Sequence, residues 1–149
     1  MAKQNKYIAQ LEKLLTHLKN AKLEYLKAAD HANTSEEKRF LNQQALNRNR
    51  FFQDTLSELQ SLGMSYDDLI VSGFNFNQML ISSIETLNAS AIEKCLTVDL
   101  DLSKIYQKII EFEFDTSKFE KHIETIEECI ESRSNLINKF TVERNLDYI

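Results

Sequence analysis

Apolar positions recur at three- and four-residue spacing along most of the chain, the period of helices that each bury one face. From Asn5 to His31 the positions Ile8, Leu11, Leu15, Leu18, Tyr25 and Ala29 keep that spacing, with Lys22 the polar exception. The run stops at Ala32-Asn33-Thr34-Ser35. Thr34 followed by Glu37 forms a capping box that starts a second helix over 35–62. This helix turns Leu41, Ala45, Phe52, Leu56 and Leu59 inward and ends before Gly63, which is placed for a left-handed C-terminal cap.

A third helix is expected over 77–112, with Leu80, Ile84, Leu87, Ala91, Cys95, Val98, Leu102, Ile105, Ile109 and Phe112 on its seam. The spacing slips once between Leu87 and Cys95, and Asn88-Ala89-Ser90 could break the helix there. Ser117 with Glu120 forms a second capping box and starts a fourth helix over 117–140. Phe119, Ile123, Ile126, Ile130, Ile137 and Phe140 line its seam, with Arg133 at the one position that is not apolar. Thr141 to Ile149 reads as a tail, frayed or docked on the outside. The short links between helices one and two, and between three and four, make each pair an antiparallel hairpin. The stretch 63–76 between the pairs spans about 46–50 Å when extended, enough to return along a helix of ~42 Å. Helices two and three then run parallel, joined by a single long crossover.

Composition narrows the fold class further. The chain has 149 residues, no proline, and only two glycines, Gly63 and Gly73. A β-rich or α/β domain of this length needs more turn residues, so the expected fold is all-α: an antiparallel four-helix bundle, one domain over 1–149. No stretch approaches the ~18 apolar residues of a membrane span. Lysines interrupt the first 20 residues, so no secretory leader is visible and the expected location is cytoplasmic. Cys95 and Cys129 are spaced for neither zinc nor a CxxC redox motif. The formal net charge of −5 is unevenly spread, with 10 basic and 5 acidic residues in 1–50 against 8 and 18 in 51–149. Complementary fields between the two hairpins explain this distribution, and the acidic part disfavours a nucleic-acid partner. With no nucleophile elbow and no glycine-rich loop, serine-hydrolase and phosphate-cradling chemistry lack their usual frames.

Three segments carry a resemblance: Tyr25 to Asp30 (YLKAAD), Leu56 to Gly63 (LSELQSLG), and Ala91 to Cys95 (AIEKC) continuing to Tyr106. Together they resemble a bacterial family of small ferritin-like four-helix-bundle proteins of unknown function, often compared with rubrerythrins. The resemblance runs from about Tyr7 to Phe140. It implies the single-crossover topology and no established activity.

Ferritin-like bundles are known for di-iron sites, built from a Glu on each of two helices and a Glu-x-x-His on each of the others. Here His17, His31 and His122 all lack a Glu three residues earlier. At comparable places the spacing is kept by Gln44 and Asn47 on the second helix and by Glu131 and Ser134 on the fourth, a poor iron donor set. Asp99, between Cys95 and Tyr106, is the best inward carboxylate of the third helix, and Glu24 adjoins the Tyr25 seam.

Glu24, Gln44, Asn47, Asp99, Tyr106, Glu131 and Arg133 therefore form the candidate core polar cluster. Two readings stand. In one, they are the remnant of a metal or ligand pocket. In the other, Asp99 or Glu131 pairs with Arg133 and a tyrosine hydroxyl completes the bonding, because a buried arginine demands a carboxylate. Other polar residues read more simply: His31 favours the C-terminal end of its helix dipole, His122 lies half-exposed beside the Ile123 seam, and Glu124, Glu127, Glu128 and Glu131 form a solvated acidic face.

The functional expectation is a non-enzymatic bundle with a degenerate metal site and no cofactor, acting as a homo-oligomer or with a protein partner. The alternative is an oxidase or storage protein holding iron or another divalent metal on an atypical carboxylate site. A third reading places a small apolar ligand among Phe40, Phe51, Phe52, Phe119 and Phe140.

Overall fold

The computed structural model of the chain describes residues 2–65 and 91–147, with side chains over 3–65 and 93–132. Among the described residues there are four α-helices and no strand: α1 (Ala2–Asp30), α2 (Ser35–Ser61), α3 (Ala91–Ile110) and α4 (Ser117–Asp147). No helix among them is long and apolar enough to cross a membrane. The expected crossover beyond Ser65, Gly73, the start of the third helix and its slip at Asn88-Ala89-Ser90 all lie outside the described residues.

Local signals set the helix ends. Thr34 has extended backbone, and its hydroxyl accepts from the Glu37 N–H at 3.1 Å, the N-terminal half of the expected capping box. At the other end of α2, Gly63 takes a φ of +94°. Its N–H reaches the Gln60 carbonyl at 3.1 Å, and the Met64 N–H reaches the Leu59 carbonyl at 3.0 Å. These two bonds are a Schellman motif, which turns the chain out of the helix through a conformation that costs glycine little. Met64 packs on the core beside it.

Two boundaries and one cap differ from the sequence reading. Ser117 is the first residue of α4 and does not cap it: the Thr116 carbonyl accepts from Phe119 and Glu120, while Asp115 accepts from the Ser117 N–H and hydroxyl. An aspartate just ahead of a serine competes for the same N–H groups, and its carboxylate is the stronger acceptor. Helix α3 stops at Ile110, so Phe112 lies in the turn that follows, where its ring meets Tyr7 at 5.3 Å. Helix α4 continues to Asp147, beyond the expected end at Phe140, since Thr141 to Arg144 contains no glycine or proline to stop it.

The inward positions of α1 and α3 match the apolar seams closely. Leu11, Leu15, Leu18, Tyr25 and Ala29 are buried on α1, and Cys95, Val98, Leu102, Ile105 and Ile109 on α3. On α2 the buried stripe is shifted: Leu41, Ala45, Arg48, Phe51, Thr55 and Leu59 are inside, while Phe52 and Leu56 are only partly buried. The core falls into two clusters. The larger one, from Tyr7 to Ala21 on α1, gathers Phe51, Leu59, Leu102, Tyr106, Ile109, Phe119 and Ile126 among others. The smaller is built of Tyr25, Ala28, Ala29, Leu41, Ala45, Cys95 and Cys129. Apart from Tyr25 and Leu41 its side chains are short. Between these two clusters sits a polar layer.

The caps make a direct prediction. Thr34→Ala should lose about 1 kcal/mol of stability while Thr34→Ser loses almost none. Gly63→Ala should also cost about 1 kcal/mol: the added Cβ meets nothing within 4 Å, so the strain is that of the backbone alone. Urea-denaturation midpoints followed by circular dichroism would measure all three.

Candidate functional site

The polar layer draws on all four helices. Arg48 of α2 and Asp99 of α3 are both fully buried. Arg48 grips the carboxylate with two arms, Nε to Oδ1 at 3.2 Å and Nη2 to Oδ2 at 2.8 Å. Its Nη1 donates to the side-chain oxygen of Gln44, one turn earlier on α2, at 3.1 Å. The guanidinium lies 4.9 Å from the centre of the Tyr25 ring of α1, within range of a cation–π contact.

The Tyr25 hydroxyl donates to Asp99 Oδ2. With its proton committed there, the same oxygen accepts from Arg48 Nη2 at 3.4 Å and from the Cys129 thiol of α4 at 3.2 Å. Removing a guanidinium from water costs several kcal/mol, and only a well-formed partner offsets it. Burial alone would lower the Arg48 pKa. The adjacent carboxylate outweighs burial and holds the pKa above its ordinary value, so the cation persists.

A second buried network lies at the large-core side of this layer. His122 of α4 is stacked on Phe51 at 4.0 Å and meets Phe119 and Tyr106 edge-on, each at 5.7 Å. Its Nε2 faces Asp54 Oδ2 of α2 at 2.9 Å, and its Nδ1 faces the Tyr106 hydroxyl of α3 at 3.0 Å. One tautomer satisfies both bonds: Nε2–H donates to the carboxylate and Nδ1 accepts from the phenol. Burial lowers the His122 pKa despite the Asp54 carboxylate, and burial raises that of Tyr106 well above its ordinary value. Both groups are therefore held neutral, and Asp54 forms the half-exposed end of the chain Asp54–His122–Tyr106.

Of the residues singled out in the sequence, the structure brings Asp99 and Gln44 together around Arg48. Tyr106 is buried but belongs to the His122 network. Glu24 and Asn47 are half-buried, and Glu131 is exposed, so it is not part of a buried cluster. The expected pairing of Asp99 or Glu131 with Arg133 is corrected for Asp99: its partner is Arg48, and the Arg133 side chain lies outside the described residues. His122 is buried, not half-exposed, because α4 buries a stripe wide enough to take in both His122 and Ile123. The proposed phenylalanine pocket does not form as one unit. Phe40 is exposed, Phe51 and Phe119 enclose His122, and the Phe140 side chain lies outside the described residues.

Arg48 was missed because apolar residues were counted. It stands three residues after Ala45 and four before Phe52, so a charged residue on the seam of α2 was the available signal. Among the described residues no group of three or more His, Cys, Asp or Glu side chains is arranged to hold a metal ion. Searches against family models, curated proteins and solved structures found no match to this chain.

Two predictions follow from the two networks. Asp99→Asn leaves the Arg48 charge buried without its counter-charge and should cost about 3–5 kcal/mol, whereas the double change Arg48→Met with Asp99→Leu should restore most of that loss. Chemical denaturation of the three proteins would measure the difference. The second concerns acid. His122 binds its proton less readily folded than unfolded, so the unfolded state takes up more protons as pH falls. Its contribution is fully present above the unfolded value of about 6.5 and is lost progressively as pH falls below it. Denaturation midpoints between pH 7.5 and 5.5 should therefore decline, and His122→Gln should flatten that decline.

Proposed function

We propose that this chain is a ferritin-like helical bundle that retains the fold without a working di-iron centre and acts by protein association, with itself or with a partner. The order of side-chain contacts supports the topology. Tyr7 meets Phe112 while Tyr25 meets Asp99, and Asp54 meets His122 while Glu58 meets Lys118. In each pair the contact moves forward along one helix as it moves back along the other, the signature of antiparallel neighbours. Helix α1 is likewise antiparallel to α2, since Lys22 reaches Asn49 and Lys19 lies over Phe52. Helices α2 and α3 then point the same way, as a single crossover between them requires.

One observation carries the functional reading: the buried carboxylate of the bundle centre is engaged on both oxygens by a guanidinium. A di-iron site needs several carboxylates with free oxygens and two imidazoles facing one space. Here Asp99 is bound by Arg48 and Tyr25, and the buried imidazole of His122 has both nitrogens engaged by Asp54 and Tyr106. The cation at the centre is supplied by the chain. Among the described residues the side chains do not fit a di-iron group, which counts against the alternative of an iron oxidase or store.

Support for association comes from the outer faces. Leu46 is 61% exposed on α2 and Leu100 is 44% exposed on α3. Glu124, Glu127 and Glu128 face solvent on α4, in a chain whose first 50 residues are net basic. Native mass spectrometry at 10–100 µM should show a species larger than the monomer that added salt and Leu46→Glu weaken. A monomer throughout that range would remove self-association. Aerobic addition of Fe(II) should leave less than stoichiometric iron, which EDTA strips without changing helicity; two irons per chain, oxidised faster than in a protein-free control, would overturn the reading.

A further inference from the structure

A cleft of about 310 Å³ runs along the outside of the bundle between α1 and α3, lined by Lys13, His17, Asp101, Lys104, Ile105 and Lys108. That is room for about ten waters at ~30 Å³ each, at the small end of ligand sites. Lys13 and His17 are four residues apart on one wall, and Lys104 and Lys108 are four apart on the other. Each pair therefore projects from one helix face, about 5–6 Å apart at Cβ, and the two pairs confront each other across the cleft. Among the described residues none of Lys13, Lys104 and Lys108 takes part in a salt bridge, although Lys3 and Lys118 do. In a chain of net charge −5, three unpaired ammonium groups converging on one concavity make a local reversal of sign. Such a field concentrates small anions.

We propose that this cleft binds a small phosphate-bearing molecule. The chemistry of the walls selects it. Lysine ammonium groups act as compact point charges suited to phosphate oxygens, and no arginine fork is present to favour planar carboxylates. His17 Nδ1 lies 2.9 Å from the Lys13 carbonyl and donates to it, leaving Nε2 for the ligand. Asp101 opposes an anion at its own position and accepts from hydroxyl groups instead, and Ile105 offers the cleft's apolar surface. A phosphate at the lysine side with a short hydroxylated skeleton toward Asp101 and Ile105 satisfies all six residues. No aromatic side chain lines the cleft, so it offers nothing for a nucleobase to stack on.

The site is independent of the core networks and of the proposed association, and its test does not depend on either. Isothermal titration calorimetry of the full chain with pyrophosphate and with a sugar monophosphate, in 25 mM and 300 mM salt, reads the binding directly. The expected result is submillimolar binding of both at low salt, weakened at least tenfold by Lys104→Glu with Lys108→Glu. The same charge change placed elsewhere, Lys38→Glu with Lys121→Glu, should leave it within threefold. Helicity by circular dichroism confirms that both variants fold.

Equal loss in the two double variants would assign the effect to net charge and overturn the proposal, as would absence of binding by the unaltered chain. Sedimentation with phosphatidic acid vesicles separates the other source of the same chemistry. Binding to vesicles without binding to either soluble probe would overturn the small-molecule site in favour of a lipid surface.

Discussion

A buried guanidinium has to be neutralised where it stands, and Arg48 is neutralised by a residue on another helix. That single requirement ties the bundle together. Asp99 must face Arg48 with both oxygens, Tyr25 must lie under the guanidinium and reach the same carboxylate, and Cys129 must come within 3.2 Å of the Tyr25 hydroxyl. A slip of one residue on any helix rotates its side chains by about 100° and shifts them 1.5 Å, which separates the partners. The apolar residues around the layer tolerate such a slip far better, since leucine packs on leucine in more than one register. The ion pair therefore selects one alignment of four helices from the several that apolar burial would accept. Its net contribution to stability is small beside the cost of breaking it.

The layer also divides the interior into unequal parts. On one side lie the large aromatic and aliphatic groups around Tyr106, Phe119 and Leu102; on the other, mostly alanines and cysteines beside Tyr25 and Leu41. His122 sits in the large part and solves the same problem by the opposite means. Arg48 keeps its charge because a carboxylate lies against it. His122 is enclosed by three aromatic rings with Asp54 half-exposed, and there burial prevails and the ring stays neutral. Nitrogen–oxygen bonds satisfy both groups, so neither is left to bind an outside ligand. The outward-facing chemistry of the chain lies instead on its helix surfaces, where Lys13, Lys104 and Lys108 have no ion-pair partner among the described residues.

Much of the local structure was legible in the residue pattern. Thr34 with Glu37 located the start of α2, Gly63 located its end, and the three-four spacing from Leu11 to Ala29 located the buried face of α1. Each of these is decided within a few residues, by hydrogen bonds and backbone preferences that sequence neighbours supply. Asp99 was also visible as an inward carboxylate, because its place relative to Cys95 and Leu102 follows from helical geometry. Arg48 and His122 were not. Counting apolar positions on α2 favours Phe52 and Leu56, and the buried stripe instead runs through Arg48 and Thr55, whose hydroxyl is satisfied by the Phe51 carbonyl of its own helix. On α4 a seam drawn through Ile123 hides that His122, three residues after Phe119, faces the same interior.

The sequence by itself determined that the described segments are helical, where α2 begins and ends, and which stripe of α1 and α3 is buried. Those properties follow from the absence of proline, from caps a few residues long and from the helical period, and all are local. Only the tertiary structure decided which charge meets which. Arg48 and Asp99 are 51 residues apart and Asp54 and His122 are 68 apart. Their pairing depends on which helices stand side by side, at what height and at what rotation. Those quantities are set by the packing of the whole bundle, and no spacing along the chain encodes them singly.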